Sequence, residues 1–219
     1  MVMNNDPGQT ERFDWGRWLR ALGAAALVML TGGVLTALAS FAIQSLYPDR
    51  PRVPDLLFDL LPHAPWTQFA VEAVYFMSLI VLVVYVWSKH HVRNIPEIAA
   101  LYGLMDITRA LILVLTPLGA PYDEATHFSP SGGTIRLWGV FPSGHMATML
   151  LFYLVVDREE APGIKRTLLV MLAAEIVLLF TSHSHYSIDI VGGLLLGYFV
   201  YYEYYRGRLF DWLKPFVKV

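Results

Sequence analysis

No cysteine occurs in the 219 residues, so no disulfide and no thiolate metal site can form, and the redox compartment stays open. Charge is scarce too: charged residues are 16% of the chain, against about 25% in an average soluble protein. The formal net charge of −2 offers nothing to a nucleic acid, so no such partner is expected. Met1 to Glu11 lacks the basic region and small-residue cleavage site of a signal peptide, and the apolar run that follows is too long for a signal core. That run is expected to stay as an anchor. There is no internal repeat and no paired pattern of broken helices, which argues against a transporter.

What is present is apolar sequence, 56% of the residues, gathered into long runs. Six of these, about 19–46, 66–87, 97–118, 145–156, 166–181 and 188–205, predict an all-α integral membrane protein, a six-transmembrane-helix bundle. Residues 1–18 form a polar, interfacial segment, 19–205 the membrane domain and 206–219 a basic and aromatic tail. Phe13, Trp15 and Trp18 interleave with Arg17 and Arg20 as an interfacial anchor. Prolines bound a short apolar stretch between Arg50 and His63 that is expected to lie along the interface.

With the N-terminus inside, the inner segments hold Arg12, Arg17, Arg20, Lys89, Arg93, Arg158, Lys165, Arg166, Arg206, Arg208, Lys214 and Lys218. The outer loops hold Arg50, Arg52 and Arg136. The positive-inside rule therefore predicts both termini cytoplasmic. Lys89, His90 and His91 belong to a turn that sets topology. Asp55, His145, His185 and the outer half of the third helix with Arg109 then share the non-cytoplasmic face. Compact loops and short tails point to a bacterial inner membrane.

Two segments carry the chemistry: Phe141-Pro142-Ser143-Gly144-His145 and His183-Ser184-His185-Tyr186-Ser187-Ile188-Asp189. Ionisable groups at membrane-helix ends are costly unless they face a polar cavity or a partner. His185 and Asp189 are one helical turn apart, so the carboxylate can hold one imidazole nitrogen and leave the other free to attack. His145, from another helix, can protonate a leaving oxygen. Ser143 and Gly144 open a helix whose N–H groups and macrodipole suit phosphate, and Arg109 adds a fork-shaped cation. Together these predict phosphoryl transfer through a phosphohistidine.

Blander readings stand beside this one. Arg109 can pair with Asp106 or with Glu175 to hold the bundle together. Glu72 and Asp106 are weaker candidates for a head-group pocket, as is His183, which either bonds phosphate or faces water. His63 and His127 read equally well as interfacial histidines. Gly192 and Gly193 suit close helix packing. His145, His183, His185 and Asp189 are also plausible metal ligands, although no His-x-x-x-His pair occurs among them. Haem ligation fits still less well, because the histidines cluster at helix ends.

Phe141 to His145 resembles the second signature of the type 2 phosphatidic acid phosphatase (PAP2) superfamily, and His185 to Val191 resembles its third. Within it, His185-Tyr186-Ser187-Ile188-Asp189-Ile190 is similar to the His-Tyr-Thr-x-Asp-Val signature of the sphingomyelin synthase branch, with Ser187 in place of threonine. Val53-Pro54-Asp55 resembles that branch's Pro-Leu-Pro-Asp motif, and Arg109, Thr116, Leu118 and Pro121 resemble its Arg…Thr…Leu…Pro segment. The resemblance implies six helices, a site away from the cytosol and no metal or other cofactor. It makes His185 the nucleophile, Asp189 its orienter, His145 the acid and Arg109 a phosphate ligand. The implied reaction moves a phospho-head group from a phospholipid donor to ceramide, or to diacylglycerol as acceptor.

Some positions depart from the family. The phosphatase branch has an arginine where Leu179 stands and a first motif with no counterpart here. Pro142 is phosphatase-like, and Gly139 stands where the synthases carry an acid. Hydrolysis of a lipid phosphate ester, by a phosphatase or phospholipase, is the alternative, and a non-catalytic lipid-binding protein is a third reading.

Overall fold

The structure is a computed structural model that describes residues 13–88, 91–119, 121 and 141–219. Lys89, His90, His127, Arg136 and Gly139 lie outside the described residues, as does Arg12. Among the described residues there are eight α-helices and no strand. They are α1 Trp15–Leu46, α2 Leu56–Leu60, α3 Thr67–Ser88, α4 Ile95–Leu115, α5 Gly144–Val155, α6 Pro162–Ser182, α7 Ser187–Tyr205 and α8 Lys214–Val217. A single 3-10 turn, His91–Asn94, leads into α4.

Each expected apolar run lies in one of these helices, with ends moved for local reasons. α1 starts within the segment assigned as interfacial, because Asp14 caps it by accepting the Arg17 N–H at 2.9 Å. α4 stops at Leu115 rather than Leu118, since Pro117 has no N–H to give and disfavours helical geometry at Thr116. α6 starts at Pro162, ahead of the expected Arg166, because proline suits a helix's first position. Lys165 is thereby taken into α6, and its ammonium reaches back to the Val156 carbonyl at 2.6 Å.

By length and composition α1, α3 and the stretch His91–Leu115 are able to cross a bilayer. Their outward faces are apolar: Leu27, Leu30, Leu38 and Phe41 on α1, and Phe69, Phe76, Ile80 and Trp87 on α3, are exposed. Helices that are hydrophobic all round belong in lipid or a large core. This is the exterior of a membrane protein. α5 has 12 residues, ~18 Å at the α-helical rise, against a hydrocarbon core of about 30 Å.

Small residues let the helices pair closely. On α1 and α4, a Cβ at Gly32 would lie 2.9 Å from the Gly103 carbonyl oxygen, and one at Gly103 2.7 Å from the Met29 nitrogen. On α5 and α7, a Cβ at Gly193 would lie 2.5 Å from the Ser143 carbonyl oxygen, and one at Gly197 2.6 Å from that of Ala147. These pairings run parallel, whereas α3 and α6 run antiparallel, with Ala64 N–H bonded to the Thr181 carbonyl at one end and Leu82 packed with Leu168 towards the other.

The bundle thus has two distinct ends. At one, Trp18 donates to the Val92 carbonyl and Arg17 to that of Lys218, which gathers the start of α1 and the C-terminal tail together. The tail is no loose interfacial strand: Phe210, Leu213 and Val217 are buried in the core beside α1 and α4. His145 and His185 lie at the opposite end.

Candidate phosphate-handling site

The first turn of α5 is tied to the first turn of α7. Ser143 caps α5, its hydroxyl accepting from the Met146 N–H at 3.5 Å, and its own N–H donates to the Asp189 carbonyl at 3.0 Å. The Phe141–Pro142 peptide is cis, and the Pro142 carbonyl accepts from Arg109 Nε at 2.9 Å. A Cβ at Gly144 would stand 3.4 Å from that Nε, so the guanidinium lies across the opening residue of α5. Arg109, Ser143 and Gly144 therefore meet at one helix N-terminus, as an anion cradle requires.

His145 and His185 face each other with ring centroids 6.4 Å apart. Behind His185, Asp189 is fully buried, and its Oδ2 lies 3.4 Å from His185 Nδ1 while accepting the Tyr186 N–H at 2.9 Å. Behind His145, Glu72 of α3 lies 3.7 Å from Nε2, and the Tyr75 ring meets the imidazole edge-on at 4.6 Å. The order across the gap is acid, imidazole, imidazole, acid.

Burial pushes the His185 imidazolium down, and the charges of His145 and Arg109 add to that, against the hydrogen bond and charge of Asp189. The balance holds His185 below the ordinary histidine range. With Nδ1 turned to Asp189, a neutral His185 presents an unprotonated Nε2 to the gap.

The remaining sequence candidates divide. Asp106 lies one turn before Arg109, against Gly32 of α1, and its charge acts on Arg109, Tyr75 and Tyr102. Glu175 does not join Arg109; it is fully buried on α6 between Leu172 and Leu179, with no hydrogen-bond partner for either carboxylate oxygen. His183 is not brought to the histidine pair. It closes α6 in a left-handed conformation (φ 52°), stacks between Phe58 and His63 at 4.3 and 4.8 Å, and lies 3.3 Å from the Leu61 carbonyl. Among the described residues no group of three potential metal ligands forms. Gly192 and Gly193 serve packing, against Phe141 and Ser143.

Sequence reasoning left three residues out of the site. Asp55, noted as part of a motif, caps α2 through the Leu57 N–H and also accepts the N–H and the hydroxyl of Ser187, the hydroxyl at 2.7 Å. Burial opposes its ionisation, but these bonds and the nearby His183 outweigh it and hold the Asp55 carboxyl below its usual range. Tyr186 is buried and donates to the Gly119 carbonyl at 3.1 Å while accepting the Val53 N–H, so it joins three loops beneath the histidines. Tyr75 was legible as the residue one turn from Glu72 on the same face.

Residues 140–206 match the family model described as PAP2 superfamily C-terminal, a stretch that holds both histidine segments. The match points to phosphatase or phosphotransferase chemistry on a lipid substrate. No curated protein matches the chain.

Proposed function

We propose that this protein is a membrane lipid phosphotransferase of sphingomyelin synthase type, working through a phosphohistidine at His185. The observation that carries the reading is the facing pair, His145 and His185, 6.4 Å apart with Asp189 behind the second. A reacting atom sits about 3–3.5 Å from its attacker. A phosphoryl group between the rings is thus within reach of both.

In the first half-reaction the Nε2 lone pair of His185 forms a bond to phosphorus while the bond from phosphorus to the glycerol oxygen breaks. Imidazolium His145 gives a proton to that oxygen, so diacylglycerol leaves neutral. Asp189 steadies the positive charge that develops on His185, and Arg109 with the α5 N–H groups holds the phosphate oxygens. In the second half-reaction a lipid hydroxyl, of ceramide or diacylglycerol, attacks phosphorus and passes its proton to His145. The phosphorus–nitrogen bond breaks and both histidines return to their starting states. Water as acceptor turns the same chemistry into hydrolysis.

The same reading takes α1, α3, α4, α5, α6 and α7 as six crossings, with both termini cytoplasmic and the site on the non-cytoplasmic side of a bacterial inner membrane. Support comes from the alternating helix directions and from the gathering of the start of α1 and the C-terminal tail opposite the histidines. The 12-residue length of α5 supports a position for His145 inside the apolar belt rather than at its rim.

The test is purified protein in mixed micelles with fluorescent ceramide or diacylglycerol, a panel of phospholipid donors and His185→Ala as control. The expected product is a new fluorescent phospholipid that vanishes in the variant. Water-soluble phosphate or phospho-alcohol alone would move the assignment to a hydrolase. Neither product, across the whole panel, would leave a non-catalytic lipid-binding protein.

A further inference from the structure

His185 sits in the turn between α6 and α7, and residues on either side of it are held by one segment, 53–63. Before it, the His183 ring stacks between Phe58 and His63 and lies 3.3 Å from the Leu61 carbonyl. After it, the Tyr186 hydroxyl accepts the Val53 N–H at 3.3 Å, and the Tyr186 ring lies 5.8 Å from Phe58. Ser187 donates both its N–H and its hydroxyl to the Asp55 carboxylate, the hydroxyl at 2.7 Å. The His185 ring itself turns the other way, to Asp189 and His145. Segment 53–63 has no part in the steps above.

These contacts differ in what they control. Aromatic pairs tolerate lateral offsets, whereas a hydrogen bond to a carboxylate is strong and weakens steeply with distance and angle. Asp55 accepts the first N–H of α7, one of the donors that a helix start leaves without an internal partner. It also accepts the Leu57 N–H, so one side chain ties the start of α2 to the start of α7. The bond that orients the nucleophile has little to spare: His185 Nδ1 and Asp189 Oδ2 are 3.4 Å apart, beyond the usual N–H···O range. We propose that Asp55 is a positioning residue for His185: its two bonds to Ser187 fix the turn that keeps Nδ1 against Asp189 and Nε2 towards the gap. This inference rests on the phosphotransferase reading for its kinetic consequence, though not for the imidazole tautomer.

Without Asp55 the turn is free to shift while Asp189 keeps the Tyr186 N–H at 2.9 Å, so α7 still starts where it does. The imidazole loses its orienting acceptor and can take the other tautomer, with the proton on Nε2, the nitrogen that must attack. Asp55 acts through Ser187 and the backbone, whereas Arg109 and the first turn of α5 hold the phosphate on the proposed reading. Its removal should therefore lower kcat and leave KM nearly unchanged.

The test uses the full chain in nanodiscs, with NMR of nitrogen-15-labelled histidine first. Of the seven histidines, His185 is the signal missing from His185→Gln. It is expected as the Nδ1–H tautomer in the wild type and largely as Nε2–H in Asp55→Ala; the same tautomer in both overturns the proposal. Asp157→Ala removes the acceptor of the Glu159 and Glu160 N–H groups at the opposite end and controls for lost stability. It should keep the wild-type tautomer, and conversion there too would overturn the proposal. The second readout is turnover in mixed micelles. Asp55→Ala should lose up to about a hundredfold in kcat with KM within about threefold. Unchanged kcat, or a loss confined to KM, overturns the proposal. Ser187→Thr keeps the hydroxyl and should rescue what Ser187→Ala loses, about fivefold for one hydrogen bond. Asp55→Ala with Ser187→Ala should be no slower than Asp55→Ala alone, and additive losses would refute the link. Should Asp55→Ala not fold, Ser187→Ala serves, and a variant unchanged in both tautomer and kcat is then the refuting result. If the wild type turns over no lipid phosphate the proposed function falls, while the tautomer comparison still decides the role of Asp55.

Discussion

Gly193→Ala is the sharpest probe of how α5 and α7 hold the histidine pair. The new Cβ would stand 2.5 Å from the Ser143 carbonyl oxygen and 2.8 Å from the Met146 Cβ, where ordinary contact begins at 3.4 Å. The shortfall is about 0.9 Å, and both atoms belong to the buried first turn of α5, which leaves α5 to back away as a body. The Ser143 N–H to Asp189 bond, now 3.0 Å, would then stretch past useful length, and the 6.4 Å ring spacing would widen with it. Overpacking of this kind costs about 1–3 kcal/mol, or roughly 2–12 °C in Tm for a chain of this size. A misplacement near 1 Å at reacting groups costs about a hundredfold in kcat. The assay is turnover in mixed micelles beside thermal unfolding in the same detergent. Gly33→Ala is the control, because nothing lies within 4 Å of its Cβ. Wild-type turnover and Tm in Gly193→Ala would refute the claim that this close approach sets the site.

Four further outcomes follow from the same geometry. Asp189→Asn should lower kcat by about 10³–10⁴-fold. It also removes what raises His185, so the acid limb of kcat/KM should move to lower pH; a limb that rises or stays fixed would contradict the pairing. Asp55→Ala frees the first turns of α2 and α7 and should cost about 2–3 kcal/mol in unfolding. Because the folded Asp55 value is depressed, its contribution is present above pH ~4 and fades as pH falls, so wild type and variant should converge in acid. His183→Asn keeps a residue that tolerates positive φ and should hold kcat within about threefold, whereas a hundredfold loss would put His183 in the chemistry. Tyr85→Phe removes the acceptor of the Asp157 N–H at the far end of α3 and α5 and should lower kcat without changing the head-group preference, which activity assays across the donor panel would show.

The helices were legible because apolar run length and proline position are local signals. Pro162 and Pro117 moved the ends through that same local chemistry, but in competition with residues outside each run. The two histidine segments were legible as short local patterns, although His185 precedes the Tyr186 cap of α7 and so meets Asp189 from the turn before the helix rather than from within it. What the chain could not disclose alone was pairing across helices. Nothing local to Glu72 says that it lies 3.7 Å from His145, and nothing local to Glu175 says that it is buried without a hydrogen bond from Arg109. His183, which the sequence leaves open between bonding phosphate and facing water, lies two residues from His185, and the left-handed turn that ends α6 carries its ring to Phe58 and His63.

The two acid–imidazole pairs look alike in composition but not in surroundings, and that difference assigns their roles on the proposed reading. Asp189 is fully buried and the His185 side chain is 13% exposed, while His145 and Glu72 are 26% and 31% exposed. A nucleophile gains from dryness, because an imidazole stripped of water and kept neutral has its lone pair free to attack. An acid that must regain its proton in each cycle gains from partial exposure, since acceptor hydroxyls arrive from the open side. Arg109 and the N-terminus of α5 supply positive potential at the gap, whereas both carboxylates stand behind the rings. The imidazoles therefore separate the negative side chains from an incoming phosphate. Exchanging the roles would place the leaving group against the buried Asp189 and turn the attacking nitrogen towards the wetter side. Both the charge order and the burial order oppose that exchange, which favours His185 over His145 as the phosphorylated residue.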